Sequence, residues 1–227
     1  VHLARSNPEG RVLLTTFSEA LANILRTMLR RLISAEPRLG ERIDVEALDA
    51  VARRLYEAHV GRVHLATRNE VAEALRLSSE AVEGSRFSHN FLLTEWDQVI
   101  DAWQLNDWDS YRDVARRRRT RLTEAQRAML WSEFERTRQS LVAGGLTTYP
   151  AVYSTLANVL GKTANKPYDY VVVDEAQDVG VAQLRFLAAI GGGRPNALFS
   201  AGDLGQRIFQ QPFSWKALGV DVRGRSR

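Results

Sequence analysis

Apolar and polar positions near the start of the chain alternate with two different periods. A short apolar run at Val12–Thr15 precedes Glu19–Leu32, where apolar residues recur every three or four positions, and this predicts a strand followed by an amphipathic helix. Strict alternation over Ile43–Glu46 predicts a second short strand, and the helical period returns over 47–58 and 69–82. The beginning of the chain is therefore predicted to be α/β.

The middle of the chain has a predominantly helical pattern. Thr94, with Asp97 three residues later, has the spacing of a capping box and predicts the start of one helix. Thr123 has the same role at the predicted start of a second helix, and Tyr149–Leu160 forms a third helical stretch. We expect a mostly helical insertion here.

A strand–helix–strand unit is predicted in the last third. Val171–Val173 is a run of β-branched residues, Val179–Ile190 has a helical pattern, and Ala197–Ser200 is a second apolar run after three glycines. Strands joined in this way are parallel, so their carboxyl ends should lie at the same edge of one sheet.

Polar residues whose side chains could take part in catalysis follow both of these strands. Asp174 and Glu175 come directly after the first strand, and Gln206 follows the second, so the three are expected to converge at the sheet edge. One carboxylate that holds Mg²⁺ and a second that orients or deprotonates water are the groups that phosphoryl transfer requires. Acidic residues in this position also cap the N-terminus of a following helix, and the first strand alone leaves that alternative open.

Three segments together resemble superfamily 1 DNA helicases of the UvrD/Rep type. DEAQD at Asp174–Asp178 and GDLGQRIF at Gly202–Phe209 resemble motifs II and III. RVLLTTFS at Arg11–Ser18, a strand that ends in hydroxyls, resembles motif Ia. The resemblance implies an α/β fold: an incomplete RecA-like, parallel-sheet P-loop NTPase motor domain with an inserted, mostly helical subdomain. It divides the chain into motor segments at 1–86 and 165–227 and an insertion, similar to the family's domain 1B, at 87–164.

The phosphate loop GxxxxGK[ST] of that family does not occur in this sequence. Gly161, Lys162 and Thr163 match its last three letters, but Leu156 stands where the first glycine belongs. In the family the loop precedes motif Ia by one helix, and a second motor domain follows motif III. We therefore expect these residues to be a piece of a larger motor, inactive as an ATPase by itself.

The resemblance also assigns residues to nucleotide chemistry. It implies ATP and Mg²⁺ as cofactors, Asp174 as the metal ligand and Glu175 as the residue that positions the attacking water. Gln206 is implied to contact the γ-phosphate and to act in catalysis with Glu175.

Contacts with single-stranded DNA are implied at the ends of two strands. Thr16 and Ser18 are expected to donate to phosphate, and Phe17 to stack on a base, although a core position beneath the sheet is the alternative for Phe17. Among the aromatic residues after motif III, Phe209 is favoured for stacking and Trp215 is second.

The densest basic run, in the middle of the helical region, comprises Arg116, Arg117, Arg118 and Arg119. These side chains either contact the phosphate backbone or form a solvated face that pairs with neighbouring acidic residues. The net charge of +4 and the pI near 9.7 are compatible with nucleic-acid binding. Nearby aromatic residues are expected to form core rather than a base-stacking platform: Trp96, Trp103, Trp108 and Tyr111.

Composition narrows the class of protein. The absence of Cys excludes disulfides and Cys-based zinc sites, and no segment has the apolar length of a membrane span. A cytoplasmic protein, in the bacterial cytosol, is expected. The resemblance implies an ATP-dependent helicase or translocase that moves on single-stranded or partly duplex DNA, 3′ to 5′, together with the remainder of the same chain. A helicase–nuclease subunit, a DNA-dependent ATPase that does not unwind, and a non-enzymatic DNA- or protein-binding module remain as alternatives.

Overall fold

A computed structural model of the chain describes residues 1–114, 122–176, 179–191 and 196–202. The chain forms two compact units. One unit combines Val1–Gly61 with the residues from Tyr153 onward, and the other comprises Arg62–Val152.

A parallel sheet organises the first unit. Its described strands are β1 (Val12–Thr16), β2 (Ile43–Ala47), β3 (Tyr170–Val173) and β4 (Leu198–Ser200), in the order β2-β1-β3-β4. All neighbouring strands are parallel, so their carboxyl ends lie at one edge. The four strands predicted from the sequence are confirmed, as is the α/β class.

Helices account for most of the remaining described structure, and none in the described ranges has the length and apolar character needed to cross a membrane. In chain order they are α1 (His2–Ser6), α2 (Glu19–Leu32), α3 (Leu48–His59), α4 (Arg68–Glu80), α5 (His89–Glu95), α6 (Asp101–Trp103), α7 (Trp108–Asp113), α8 (Glu124–Ala143), α9 (Tyr149–Gly161) and α10 (Val181–Ile190).

One face of the sheet is covered by apolar residues from the first helices. Val12, Ile43 and Val45 of the strands are buried in one cluster with Ala4 of α1 and Ile33 at the end of α2. The apolar period of α2 places one side of this helix against the strands, as its sequence predicts. The sheet is thereby held in the geometry that fixes its carboxyl edge.

The helical unit has a separate core, built largely from α4, α8 and the segments between them. Trp96 and Tyr111 are buried in it, while Trp103 and Trp108 pack against it and are only partly buried. The Tyr111 ring stacks on Trp131 with centroids 5.7 Å apart. Trp96 and Tyr111 are therefore core residues, as the sequence indicated, and Trp103 and Trp108 lie at the margin of that core.

The unit also begins earlier than the sequence division suggested, at residue 62 rather than 87, and its second boundary falls within α9. Val71, Ala74 and Leu75 of α4 are buried in the helical core. The apolar stripe of α4 predicts a helix. It does not show whether that helix packs in the core of the sheet or in the core of the helical unit.

The predicted helix start at Thr94 is wrong. Ser88 is the N-cap of α5 and its hydroxyl accepts the N–H of Phe91, whereas Thr94 lies inside that helix. The Thr94 hydroxyl donates to the carbonyl of Asn90 at 2.6 Å. A π-helical turn at Trp96–Ile100 follows α5 directly. Threonine also occurs inside helices, where its hydroxyl can bond to the carbonyl four residues earlier. The spacing of Thr94 and Asp97 alone therefore does not identify a helix start.

Candidate nucleotide and DNA site

The carboxyl ends of β1 and β3 are joined directly at the sheet edge. Thr15 is in register with Val173, the last residue of β3, and the N–H of Asp174 donates to the Thr15 carbonyl at 2.9 Å. This bond fixes the beginning of the acidic turn against the end of the strand that resembles motif Ia. The parallel topology therefore brings together the two motifs that are about 160 residues apart in sequence.

The turn that follows β3 has an unusual backbone. Glu175 has a φ of +58°, in the left-handed region that residues other than glycine seldom adopt. Its N–H donates to Oδ1 of Asp174 at 3.1 Å. Asp174 is half-buried and Glu175 is exposed, so the two carboxylates meet different surroundings although they are adjacent in sequence.

The acidic pair does not cap the helix that follows. α10 begins at Val181 with Gly180 at its N-cap, and the N–H of Gly180 donates to Oε1 of Gln183 at 2.8 Å. A role for Asp174 and Glu175 in capping α10 is therefore excluded by position.

The end of β4 lies beside the same turn. The N–H of Ala201 donates to the carbonyl of Val173, and the N–H of Ala176 donates to the carbonyl of Ala201, both at 2.8 Å. These two bonds place Ala201, the residue after β4, beside the turn that contains Asp174 and Glu175. Gln206, Phe209 and Trp215 follow and lie outside the described residues.

Three residues at the end of β1 and just after it were predicted to contact DNA, and the structure places them in different environments. Thr16 is buried, and its hydroxyl has no hydrogen-bond partner among the described residues. Phe17 is half-buried, and Ser18 is exposed. The Ser18 hydroxyl caps α2 by accepting the N–H of Leu21 at 3.3 Å, so it can still donate its own proton. Phe17 and Ser18 are thus the two that reach the surface.

The arginine run at 116–119 lies outside the described residues, but the arginines beside it make internal contacts. Arg112 forms ion pairs with Asp109 and Asp113, each at 2.8 Å. Arg127 donates to the carbonyl of Arg112 at 2.6 Å. Arg112 thus pairs with acidic neighbours, as the solvated-face alternative expects, whereas Arg127 bonds to the backbone. The role of the run itself stays a prediction.

Sequence reasoning did not single out Thr15. Its side chain is completely buried, and its hydroxyl, like that of Thr16, has no partner among the described residues. A β-branched residue in a strand ordinarily needs no functional explanation, which is why the pattern alone does not identify it. The sequence signal is the pair of hydroxyls, Thr15 and Thr16, that ends an otherwise apolar strand.

The acidic turn fits a magnesium ion in the manner usual for nucleotide enzymes. Mg²⁺ is commonly bound by one or two carboxylates together with substrate phosphates and water, and Asp174 supplies one half-buried carboxylate at the edge. No group of three or more His, Asp or Glu residues that could hold a metal occurs in the described part of the chain.

Comparison with known proteins agrees with this geometry. A search of curated proteins found no match to the chain. A family model described as the UvrD/REP helicase N-terminal domain matches residues 2–214, which include both units and all three motifs. The match confirms the resemblance seen in the sequence, and the parallel sheet agrees with a RecA-like motor domain. The chain belongs to the UvrD/REP helicase N-terminal domain family.

Proposed function

We propose that this domain is the first motor domain of an ATP-dependent DNA helicase or translocase that moves on single-stranded DNA in the 3′-to-5′ direction. Membership in the family supports helicase activity. The observation that carries the assignment of roles is the bond from the Asp174 N–H to the Thr15 carbonyl, 2.9 Å long. It joins the turn assigned to nucleotide chemistry to the strand end assigned to DNA.

Asp174 holds the magnesium ion in this proposal. When bound, ATP and Mg²⁺ supply the phosphoryl group and the positive charge that stabilises its transfer. A carboxylate at the end of a buried strand has few alternative conformations, and here its Oδ1 is already engaged by the N–H of Glu175. This contact orients Asp174 before any ligand arrives.

Glu175 accepts the proton of the attacking water. Its side chain is exposed at the edge, as contact with a ligand requires. A backbone held in the left-handed region fixes the direction of the side chain more narrowly than an ordinary loop would. Gln206 contacts the γ-phosphate and couples its loss to the DNA side of the edge.

DNA contact is proposed at Phe17 and Ser18, by stacking and by donation to phosphate, with Phe209 and Trp215 as further stacking residues. Burial of Thr16 indicates that its hydroxyl would need a local change to reach phosphate. Arg116 to Arg119 add phosphate contacts from the helical unit.

Glu175→Gln tests the proposal in a protein that contains this domain together with a phosphate loop. Removal of the base should reduce DNA-stimulated ATP turnover by roughly 10²- to 10⁴-fold, while affinity for ATP changes little because the phosphate contacts remain. Steady-state phosphate release and titration with a fluorescent ATP analogue measure the two effects. Glu9→Gln, an exposed carboxylate in the loop before β1, is the matched control and should leave both unchanged.

Strand displacement on duplexes with either a 3′ or a 5′ tail then decides translocation and direction. Parallel losses of ATP affinity and turnover in Glu175→Gln would indicate a structural role for Glu175. DNA-stimulated turnover without displacement from either tail would favour the ATPase that does not unwind.

A further inference from the structure

We infer that Thr15 is a positioning residue for Glu175, with a hydroxyl that bonds to the Glu175 carboxylate, directly or through one water, when nucleotide is bound. The inference rests on the proposed role of Glu175 as the base. Thr15 contacts neither substrate nor metal in this assignment and acts only through Glu175.

The first observation is a buried hydroxyl without a partner. Thr15 is completely buried, and its Oγ1 makes no hydrogen bond to any described residue. A buried hydroxyl that is not paired lowers stability, and such groups in native proteins usually have a partner in another state or an ordered water. The fold alone gives Thr15 no reason to carry the hydroxyl.

The strand itself would accept an apolar residue at this position. Side chains alternate along a strand, so Thr15 lies on the same face as Leu13, which is completely buried, and is in register with Val173 of β3. Valine has the same branched shape as threonine and packs well in such a strand. The hydroxyl is therefore the one feature of Thr15 that packing does not explain.

The second observation is the position of that hydroxyl. The carbonyl of Thr15 accepts the N–H of Asp174, so the backbone of Thr15 is bonded to the residue next to Glu175, which has a φ of +58°. Left-handed residues other than glycine persist when surrounding contacts hold them, and they are common at switch regions and active sites. An adjacent buried donor is suited to hold the Glu175 side chain once ligand binding rearranges the turn.

Thr16 differs from Thr15 in a way that separates their roles. Both hydroxyls are buried and lack a partner among the described residues. The alternation of the strand places them on opposite faces of the sheet. Thr16 also adjoins Phe17, at the DNA side of the edge, whereas Thr15 carries the bond to the acidic turn.

The experiment compares Thr15→Val with Thr15→Ser in a protein that contains this domain together with a phosphate loop. Thr15→Val should leave the melting temperature unchanged or raise it, because an unpaired buried hydroxyl is removed. It should lower kcat for ATP hydrolysis about tenfold with little change in KM, and Thr15→Ser should restore most of the loss.

A double-mutant cycle with Glu175→Gln identifies the route of the effect. If Thr15 acts through Glu175, Thr15→Val should lower kcat by less than about twofold in the Glu175→Gln background. An unchanged kcat in Thr15→Val, failure of serine to restore it, or the same tenfold loss in both backgrounds would overturn the inference. Normal turnover in Glu175→Gln would instead overturn the proposed role of Glu175, which distinguishes the two failures.

Discussion

In the described part of the chain, unusual backbone geometry and buried polar groups without partners occur at the edge of the sheet and inside the helical unit. Glu175 has a left-handed backbone, and Thr15 and Thr16 have buried hydroxyls without partners among the described residues. These departures from ordinary geometry and pairing lie at one edge of the sheet, where the segments that resemble motifs II and Ia meet. Strain and unpaired polar groups are expected to collect where a ligand later completes the contacts.

Glu133 is a departure of a different kind, inside the helical unit. Its side chain is completely buried, and neither carboxylate oxygen has a hydrogen-bond partner among the described residues. Burial raises the pKa of Glu133 above its ordinary value of 4.5, and the nearby hydroxyls of Ser85 and Ser79 oppose part of that rise. Burial therefore disfavours the charged form of Glu133 in the folded state relative to the unfolded chain.

Glu133→Gln should stabilise the domain at neutral pH. Because the folded-state pKa is raised, the stabilising contribution of Glu133 is fully present below pH 4.5 and is lost as pH rises through the folded-state pKa. A neutral amide avoids that loss, so the variant should gain about 1–3 kcal/mol at pH 7.5 and little at pH 4. Urea unfolding at both pH values measures the difference.

Glu135→Gln is the matched control, since Glu135 is exposed on the same helix and should show no such pH-dependent gain. A gain for Glu133→Gln of equal size at both pH values would show that the charge of Glu133 is not the cause.

At the scale of elements, helix ends are set by side-chain caps that satisfy the first N–H groups. Thr123 caps α8 in a full capping box: the N–H of Gln126 donates to the Thr123 hydroxyl at 3.2 Å, and the N–H of Thr123 donates to Gln126 Oε1 at 2.9 Å. This prediction from the sequence is confirmed. The same argument failed at Thr94, where Ser88 had already begun the helix.

Replacing each threonine with alanine should separate the true cap from the false one. Thr123→Ala should destabilise the domain by about 1 kcal/mol, because the N–H of Gln126 in the first turn of α8 loses its partner, the Thr123 hydroxyl. Thr94→Ala should be neutral or slightly stabilising, since alanine is the better residue inside a helix. Thermal unfolding of both variants, with Thr123→Ser as the conservative control, tests this, and equal losses in both alanine variants would contradict it.

At the scale of the whole molecule, DNA contact is proposed for both units. Phe17, at the sheet edge, should stack on a base, a contact that responds weakly to salt. Arg116 to Arg119, in the helical unit, should act through release of counterions and respond strongly. Each contribution therefore has its own signature in a salt titration.

In a protein that contains this domain, Phe17→Ala should weaken single-stranded DNA binding by roughly 1–3 kcal/mol and leave the slope of log affinity against log salt nearly unchanged. Serine at all four arginine positions should flatten that slope. Fluorescence anisotropy over a salt series measures both. An unaltered slope in the serine variant would assign the run to a solvated face.

These 227 residues alone should show no DNA-stimulated ATP hydrolysis, because the sequence contains no GxxxxGK[ST] loop to bind the phosphates. Phosphate release with and without single-stranded DNA should stay at background. Turnover that DNA stimulates and that Glu175→Gln abolishes would contradict this expectation and would require another phosphate-binding element within the chain.

The sequence by itself determined the strands, most of the helices and the acidic turn. Hydrophobic periods of two and 3.6 residues depend only on neighbouring residues, so they can be seen in the sequence. The β-branched run before Asp174 likewise indicates a buried strand that ends at this residue. The order of the three motifs was sufficient to indicate the family, which the match over residues 2–214 confirmed. Helix-capping at Thr123 is likewise local, because its partner is three residues away.

Tertiary structure alone decided which groups are buried and which are paired. The stripe of α4 has the same period whichever core it joins, and the Thr15–Val173 register joins residues 158 positions apart. The left-handed backbone of Glu175 arises in a turn held by β1 and β4, which no local pattern specifies. Burial and pairing depend on contacts between distant segments, and for this reason the unpaired hydroxyl of Thr15 is evident only in the folded chain.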